Sequence, residues 1–163
     1  MATRSVISKI DKKVSNGEIT AVYCHSDGYL NWNGKILNEH YTSGNKVDEL
    51  LSNGGISILN ENIGKPGIDF NDYKKFGSLK QSRFYHRDRG EELKIQTWNG
   101  GLRSFVEEAK SSYGAEFIYM FEESTHPLDG GEGIWYVYDV YGSKDNKTNF
   151  ESCWVKLSDA LNG

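Results

Sequence analysis

Apolar and polar residues alternate along several short stretches of the chain, which is the pattern of half-buried β-strands. Residues 3–10 alternate weakly and predict a first strand, and residues 18–25 predict a second. Asn16 and Gly17 lie between them, and both residue types tolerate the positive φ that a tight hairpin turn needs. The N-terminal part of the chain is therefore predicted to be a β-hairpin.

Apolar residues at helical spacing predict helices farther along the chain. The clearest helix covers 101–113 and is expected to stop at Gly114, and shorter ones are expected over 35–41 and after Asn45. Further strands are predicted at 79–89, 115–122, 133–141 and 153–157, and the short apolar run at 56–59 is either a strand or a wedge into the core.

This order of elements indicates an α+β fold, because hairpins and helices occur without a regular βαβ alternation. We predict one domain over 1–163, with an antiparallel sheet and two to three helices packed on one face. Residues 64–77 are rich in Gly, Asp and Lys, and we predict an irregular loop there.

The charge and composition of the chain exclude several classes of protein. The 163 residues carry a formal net charge of -4, which argues against general nucleic-acid binding. No apolar run is long enough to cross a bilayer, so no membrane association is expected. The two cysteines, Cys24 and Cys153, lack metal-type spacing, and without a signal peptide we expect reduced thiols and a cytoplasmic location. Whether the chain forms a homo-oligomer is left open.

The densest group of chemically versatile side chains lies at 23–41, where a strand is expected to lead into a helix. Polar and aromatic side chains at such a junction can converge on one ligand. The alternative is a capped strand–turn–helix in which both histidines are merely hydrogen-bonded. The candidate ligand-binding residues in this segment are His25, Asp27, Tyr29, His40 and Tyr41.

A second group of candidates lies in the predicted strand 79–89. A strand there would place Arg83, Tyr85, Arg87 and Arg89 on one face. Arginine grips phosphate or carboxylate with two parallel hydrogen bonds, and tyrosine can stack on a base. We therefore predict that Arg87 and Arg89 hold the anionic part of a ligand. The alternative is a solvated edge strand whose arginines pair weakly with nearby acids.

Two motifs in these segments resemble a group of small phage- and prophage-encoded proteins. The Y-C-H-S-D-G-Y sequence at 23–29, followed by Gly34, Leu37 and His40-Tyr41, is similar to the group's Y-C-H-W-D-G-Y and G-x-x-L-x-x-H-Y. Residues 85–91 read Y-H-R-D-R-G-E, as in the same group. Ser26 departs from the usual tryptophan. The resemblance implies phage origin and an accessory role in the host cytoplasm, and it implies no particular activity.

Together these observations favour a phage-type accessory protein that binds a small anionic or nucleotide-like ligand, with counter-defence by sequestering a signal as its purpose. One alternative is a metal-dependent hydrolase or nuclease that uses His25 with Asp27 and His86 with Asp88. Another is a protein-only inhibitor of a host defence enzyme. We find no P-loop, dinucleotide fingerprint or nucleophile elbow. We expect no cofactor and no bound metal, and binding is favoured over catalysis.

Overall fold

One mixed β-sheet runs through the protein in a computed structural model that describes residues 2–12, 17–123, 132–142 and 153–163. Its strands are β1 (Ser5–Asp11), β2 (Glu18–Cys24), β3 (Ile56–Ile58), β4 (Arg83–Phe84), β5 (Gln96–Trp98), β6 (Phe117–Glu123), β7 (Gly133–Asp139) and β8 (Trp154–Lys156). They are ordered β4-β3-β2-β1-β6-β7-β8, and β5 pairs with β2 beside this path.

The α+β class is confirmed, but the sheet is mixed rather than antiparallel. β1 and β2 form the predicted antiparallel hairpin, with Ser5 opposite Cys24. The predicted turn residue Asn16 lies outside the described residues. β1 also pairs in parallel with β6, and β2 pairs in parallel with β3. Parallel pairs arise because the chain crosses over through helices before it returns to the sheet.

Helices cover both faces of the sheet, which corrects the prediction of helices on one face. Within the described residues they are α1 (Lys35–His40), α2 (Gly44–Ser52), α3 (Tyr73–Ser78), α4 (Tyr85–Arg89), α5 (Leu102–Tyr113) and α6 (Leu157–Asn162). One π-helical turn, Leu30–Gly34, leads into α1. No helix in this part of the chain is long and apolar enough to span a membrane.

Alternation along the strands creates two separate hydrophobic cores. Ile7 of β1 belongs to the core formed with α1, α2 and α6. Its neighbour Val6 points the other way and belongs to the core formed with α5, which contributes Phe105 and Val106. Two faces of one sheet are thus buried, as expected when adjacent strand residues point to opposite sides.

Residues 79–89 differ most from the prediction, because only Arg83–Phe84 is a strand and Tyr85–Arg89 is helical. The Asp88 carboxylate accepts a hydrogen bond from the Phe84 backbone N–H at 2.8 Å, which satisfies a free donor at the start of α4. Gly90, at φ 77°, ends the helix in the left-handed conformation. The four basic and aromatic residues therefore do not share a strand face. In the predicted loop 64–77, α3 begins at Tyr73, where Asp72 caps it.

Candidate functional site

The turn after β2 is hydrogen-bonded to the segment that leads into β1. Asp27 adopts φ 56°, and the Gly28 N–H donates to the Thr3 carbonyl at 2.8 Å. The Gly28 carbonyl accepts a hydrogen bond from the buried Tyr119 hydroxyl at 2.6 Å. A Cβ on Gly28 would lie 2.8 Å from both the Thr3 carbonyl oxygen and the Ser5 Cβ, so this position requires glycine. The motif therefore has a structural role in joining the turn to the sheet.

The candidate residues of this motif point in different directions. His25 Nδ1 lies 2.7 Å from the Tyr23 hydroxyl oxygen, whereas His40 Nε2 lies 2.8 Å from a Glu61 carboxylate oxygen. Tyr29 is exposed at the surface. Apart from the contact between His25 and Tyr23, none of the five predicted residues meets the cleft described below.

Tyr41 is a core residue. Its side chain is fully buried, its hydroxyl donates to the Asn60 carbonyl at 2.7 Å, and its own carbonyl accepts from the Trp135 indole N–H at 2.8 Å. Burial raises the pKa of Tyr41 to about 12.

We expect the free energy of unfolding to fall in alkaline solution partly through Tyr41. Because the pKa of Tyr41 is raised in the folded state, its contribution is intact below pH ~10 and is lost as the pH rises through 12. Urea denaturation between pH 8 and 11 measures this loss, with a slope from Tyr41 of up to about 1.4 kcal/mol per pH unit. Tyr41→Phe should show a shallower decline than the wild type, and an unchanged slope would contradict the assignment.

Arg87 is held inside the protein. Its guanidinium donates to both carboxylate oxygens of Asp88, at 2.9 and 3.1 Å, and to the carbonyls of Ile63 and Ser82, at 2.8 and 3.1 Å. It also lies over the Phe84 ring. These contacts tie α4 to two neighbouring segments and use the donors that an external anion would need.

His86 and Asp88 of the predicted hydrolase site contact neighbouring groups of the protein. His86 Nδ1 lies 2.7 Å from the Glu91 carbonyl oxygen, and Asp88 binds Arg87 and the Phe84 N–H. Over residues 2–12, 17–123, 132–142 and 153–163, no group of three or more His, Cys, Asp or Glu side chains could hold a metal ion.

An open cleft of about 720 Å³ lies between Arg4, which precedes β1, and residues of β2, α4 and the end of α5. Three aromatic rings line it, from Tyr23, Tyr85 and Tyr113, and we call it the tyrosine cleft. The rings of Tyr23 and Tyr113 stack with centroids 5.8 Å apart and an interplanar angle of 20°. Burial raises the pKa of all three hydroxyls, so they are neutral hydrogen-bonding groups near pH 7.

The charged residues of the tyrosine cleft are mostly basic. They are Arg4, Arg89, Lys94, Glu91 and Glu92. Arg89 pairs with Glu91, and its guanidinium lies over the Tyr85 and Phe70 rings. Among the described residues, Arg4 and Lys94 form no ion pair with a carboxylate. Two cations are thus left for an external anion.

Of the seven predicted site residues, only Arg89 lines the cleft. Arg4, Lys94 and Tyr113 come from three distant parts of the sequence and belong to no local motif. Tyr113 is the last residue of α5, a position that predicts a helix end rather than a binding role. The ten tyrosines of the sequence are compatible with aromatic ligand walls, but their number does not show which of them line a cleft.

No protein-family model, curated protein or solved structure matches this chain. The family resemblance of the two motifs therefore stays a prediction.

Proposed function

We propose that the protein binds a small anionic, nucleotide-like ligand in the tyrosine cleft. The observation that carries this proposal is the presence of three tyrosine rings beside Arg4 and Lys94, two cations that have no carboxylate partner among the residues the structure describes. The volume of about 720 Å³ falls within the range of small-molecule sites.

The cations supply the anion-binding part of the site. Arg4 is exposed at the cleft, and its guanidinium lies close to Gly114 at the end of α5. The backbone around Arg4 is held by Glu116, whose carboxylate accepts from the Arg4 N–H at 3.1 Å. A fixed backbone with an exposed guanidinium beside the Tyr23 hydroxyl suits binding of a phosphate.

The rings supply the part of the site that recognises a planar group. The stacked pair of Tyr23 and Tyr113 is a rigid apolar surface, and the His25 contact fixes the Tyr23 hydroxyl. A base stacked on such a ring gains affinity with little dependence on its identity. Tyr85 is anchored through its N–H, which donates to the Gly55 carbonyl at 3.2 Å.

A binding protein of this kind could serve counter-defence by sequestering a nucleotide signal of the host. This biological role, the phage origin and a host cytoplasmic location rest on the motif resemblance alone. The ligand-binding activity rests on the cleft and is tested separately from them.

Isothermal titration calorimetry with AMP, GMP, CMP and UMP tests the proposal, with the parent nucleosides and inorganic phosphate as partial ligands. We expect a monophosphate to bind more tightly than its nucleoside or phosphate alone. Arg4→Gln and Tyr113→Ala should each weaken binding roughly tenfold, as expected for a charged hydrogen bond and for a stacked base.

Two exposed positions supply matched controls for these variants. Lys35 is exposed on α1 and Tyr141 is 78% exposed, and neither lines the cleft. Lys35→Gln and Tyr141→Ala should bind like the wild type. The proposal fails if no monophosphate binds, or if the cleft variants, once shown to be folded, bind as tightly as the controls. A host protein partner would then become the leading alternative.

A further inference from the structure

A second open depression, of about 640 Å³, adjoins the tyrosine cleft along α5. We call it the tryptophan groove, and its lining includes Trp98, Arg103, Ser104, Glu107, Glu108 and Ser111. Ser111 lines both depressions, so they meet at this residue. A ligand longer than a mononucleotide can therefore extend from one into the other along the surface of α5.

Trp98 forms a fixed platform in the groove. Its indole N–H donates to the Ser104 hydroxyl at 2.9 Å, and that hydroxyl donates to the Gly100 carbonyl at 2.7 Å. Trp98 also pairs with Ile19 across β5 and β2, so its backbone belongs to the sheet. The side chain is half-buried, which leaves part of the ring available for stacking.

The two depressions differ in charge. Three basic and two acidic side chains line the tyrosine cleft, whereas one basic and two acidic side chains line the tryptophan groove. Lys110 lies 3.5 Å from Glu107 and offsets part of that acidity. A phosphate is therefore favoured in the cleft, and the groove suits an uncharged ring whose N–H groups can donate to a carboxylate.

We propose that the tryptophan groove is a subsite for a second base, so that the preferred ligand class is a dinucleotide rather than a mononucleotide. This inference rests on the proposed function of the tyrosine cleft. The internucleotide phosphate lies among the basic residues of the cleft, one base stacks on the tyrosines, and the other stacks on Trp98 beyond Ser111.

The same charges disfavour a nucleoside triphosphate. Phosphates that extended past Ser111 into the groove would meet Glu107 and Glu108, where like charges repel them. A dinucleotide adds a neutral ring in that direction. Comparing a dinucleotide with a triphosphate therefore distinguishes the effect of a second base from the effect of additional charge.

Calorimetry with AMP, ATP and the dinucleoside monophosphate ApA, and with GMP, GTP and GpG, tests the inference. We expect a dinucleotide to bind roughly tenfold more tightly than its mononucleotide, as one additional stacked base would give. The triphosphates should show no such gain. Trp98→Leu should reduce the dinucleotide to the affinity of the mononucleotide, while Trp98→Phe, which keeps an aromatic ring, should retain most of the gain.

Each result separates the two proposals. If mononucleotides and dinucleotides bind equally, the second subsite is wrong and the tyrosine cleft remains a nucleotide site. If the triphosphate shows the larger gain, the depressions recognise charge rather than a second base, and the inference is overturned. If no nucleotide binds, both proposals fail. Should Trp98→Leu fail to fold, the wild-type ratio of dinucleotide to mononucleotide affinity still decides the question.

Discussion

Arg87→Ala is expected to lower the free energy of unfolding by about 3–5 kcal/mol, the range observed when one partner of a buried ion pair is removed. The Arg87 side chain is 11% exposed and that of Asp88 is fully buried. Without the guanidinium, the Phe84 N–H is the one partner left to the Asp88 carboxylate within the described part of the chain, and the Ile63 and Ser82 carbonyls lose a charged donor. Urea denaturation followed by circular dichroism measures the change.

Arg89→Ala is the matched control two residues away. The Arg89 side chain is 50% exposed and its pair with Glu91 is solvated, so its loss should cost less than about 1 kcal/mol of stability. The same variant should weaken nucleotide binding, because Arg89 lines the tyrosine cleft. A folded Arg87→Ala protein with wild-type stability and no ligand binding would reverse these roles.

Tyr41→Ala is expected to lower the free energy of unfolding by about 3–5 kcal/mol, as for other buried aromatic residues replaced by alanine. The side chain is fully buried in the core shared with α1 and α2, and the Lys46 ammonium lies 4.4 Å from the centre of its ring. Truncation removes both the packing and the hydrogen bond to Asn60.

Tyr41→Phe separates the two contributions. It keeps the ring and removes only the hydroxyl, and the Asn60 carbonyl retains the Ser82 hydroxyl as a donor at 3.1 Å. We therefore expect a loss of only about 0.5–1.5 kcal/mol. Tyr141→Ala, at an exposed position, should change stability by less than about 0.5 kcal/mol. Equal losses for Tyr41→Ala and Tyr141→Ala would show that Tyr41 is not part of the core.

The strands and the main helix could be predicted from the sequence because their signals are local. Alternation along β2 separates Ala21 from Val22, and these residues do enter opposite cores. The helix expected over 101–113 is present as α5 and ends at Gly114 as predicted. The parallel neighbours of β1 and β2 could not be predicted, because pairing between distant segments produces no local pattern in the sequence.

The candidate site was harder to predict for two physical reasons. The strand Arg83–Phe84 is followed directly by the helix Tyr85–Arg89. Strand alternation therefore does not apply after Phe84, and it predicts the wrong direction for the Arg87 side chain. The tyrosine cleft is assembled from separate segments, with Arg4 and Tyr113 brought together only by the fold. The histidine-containing motifs were predicted to bind a ligand, whereas several of their residues stabilise the turn after β2 and the core.

The position of β1 in the middle of the sheet has a consequence for synthesis on the ribosome. Its neighbours are β2, which follows it directly, and β6, which is made much later; the Ser8 hydroxyl donates to the Tyr119 carbonyl at 2.7 Å across that pair. Until residues 117–123 have emerged, the first hairpin presents an unpaired edge and an uncovered apolar face. The nascent chain therefore cannot complete its sheet in the order of translation, and its first strand has to wait for nearly the whole protein.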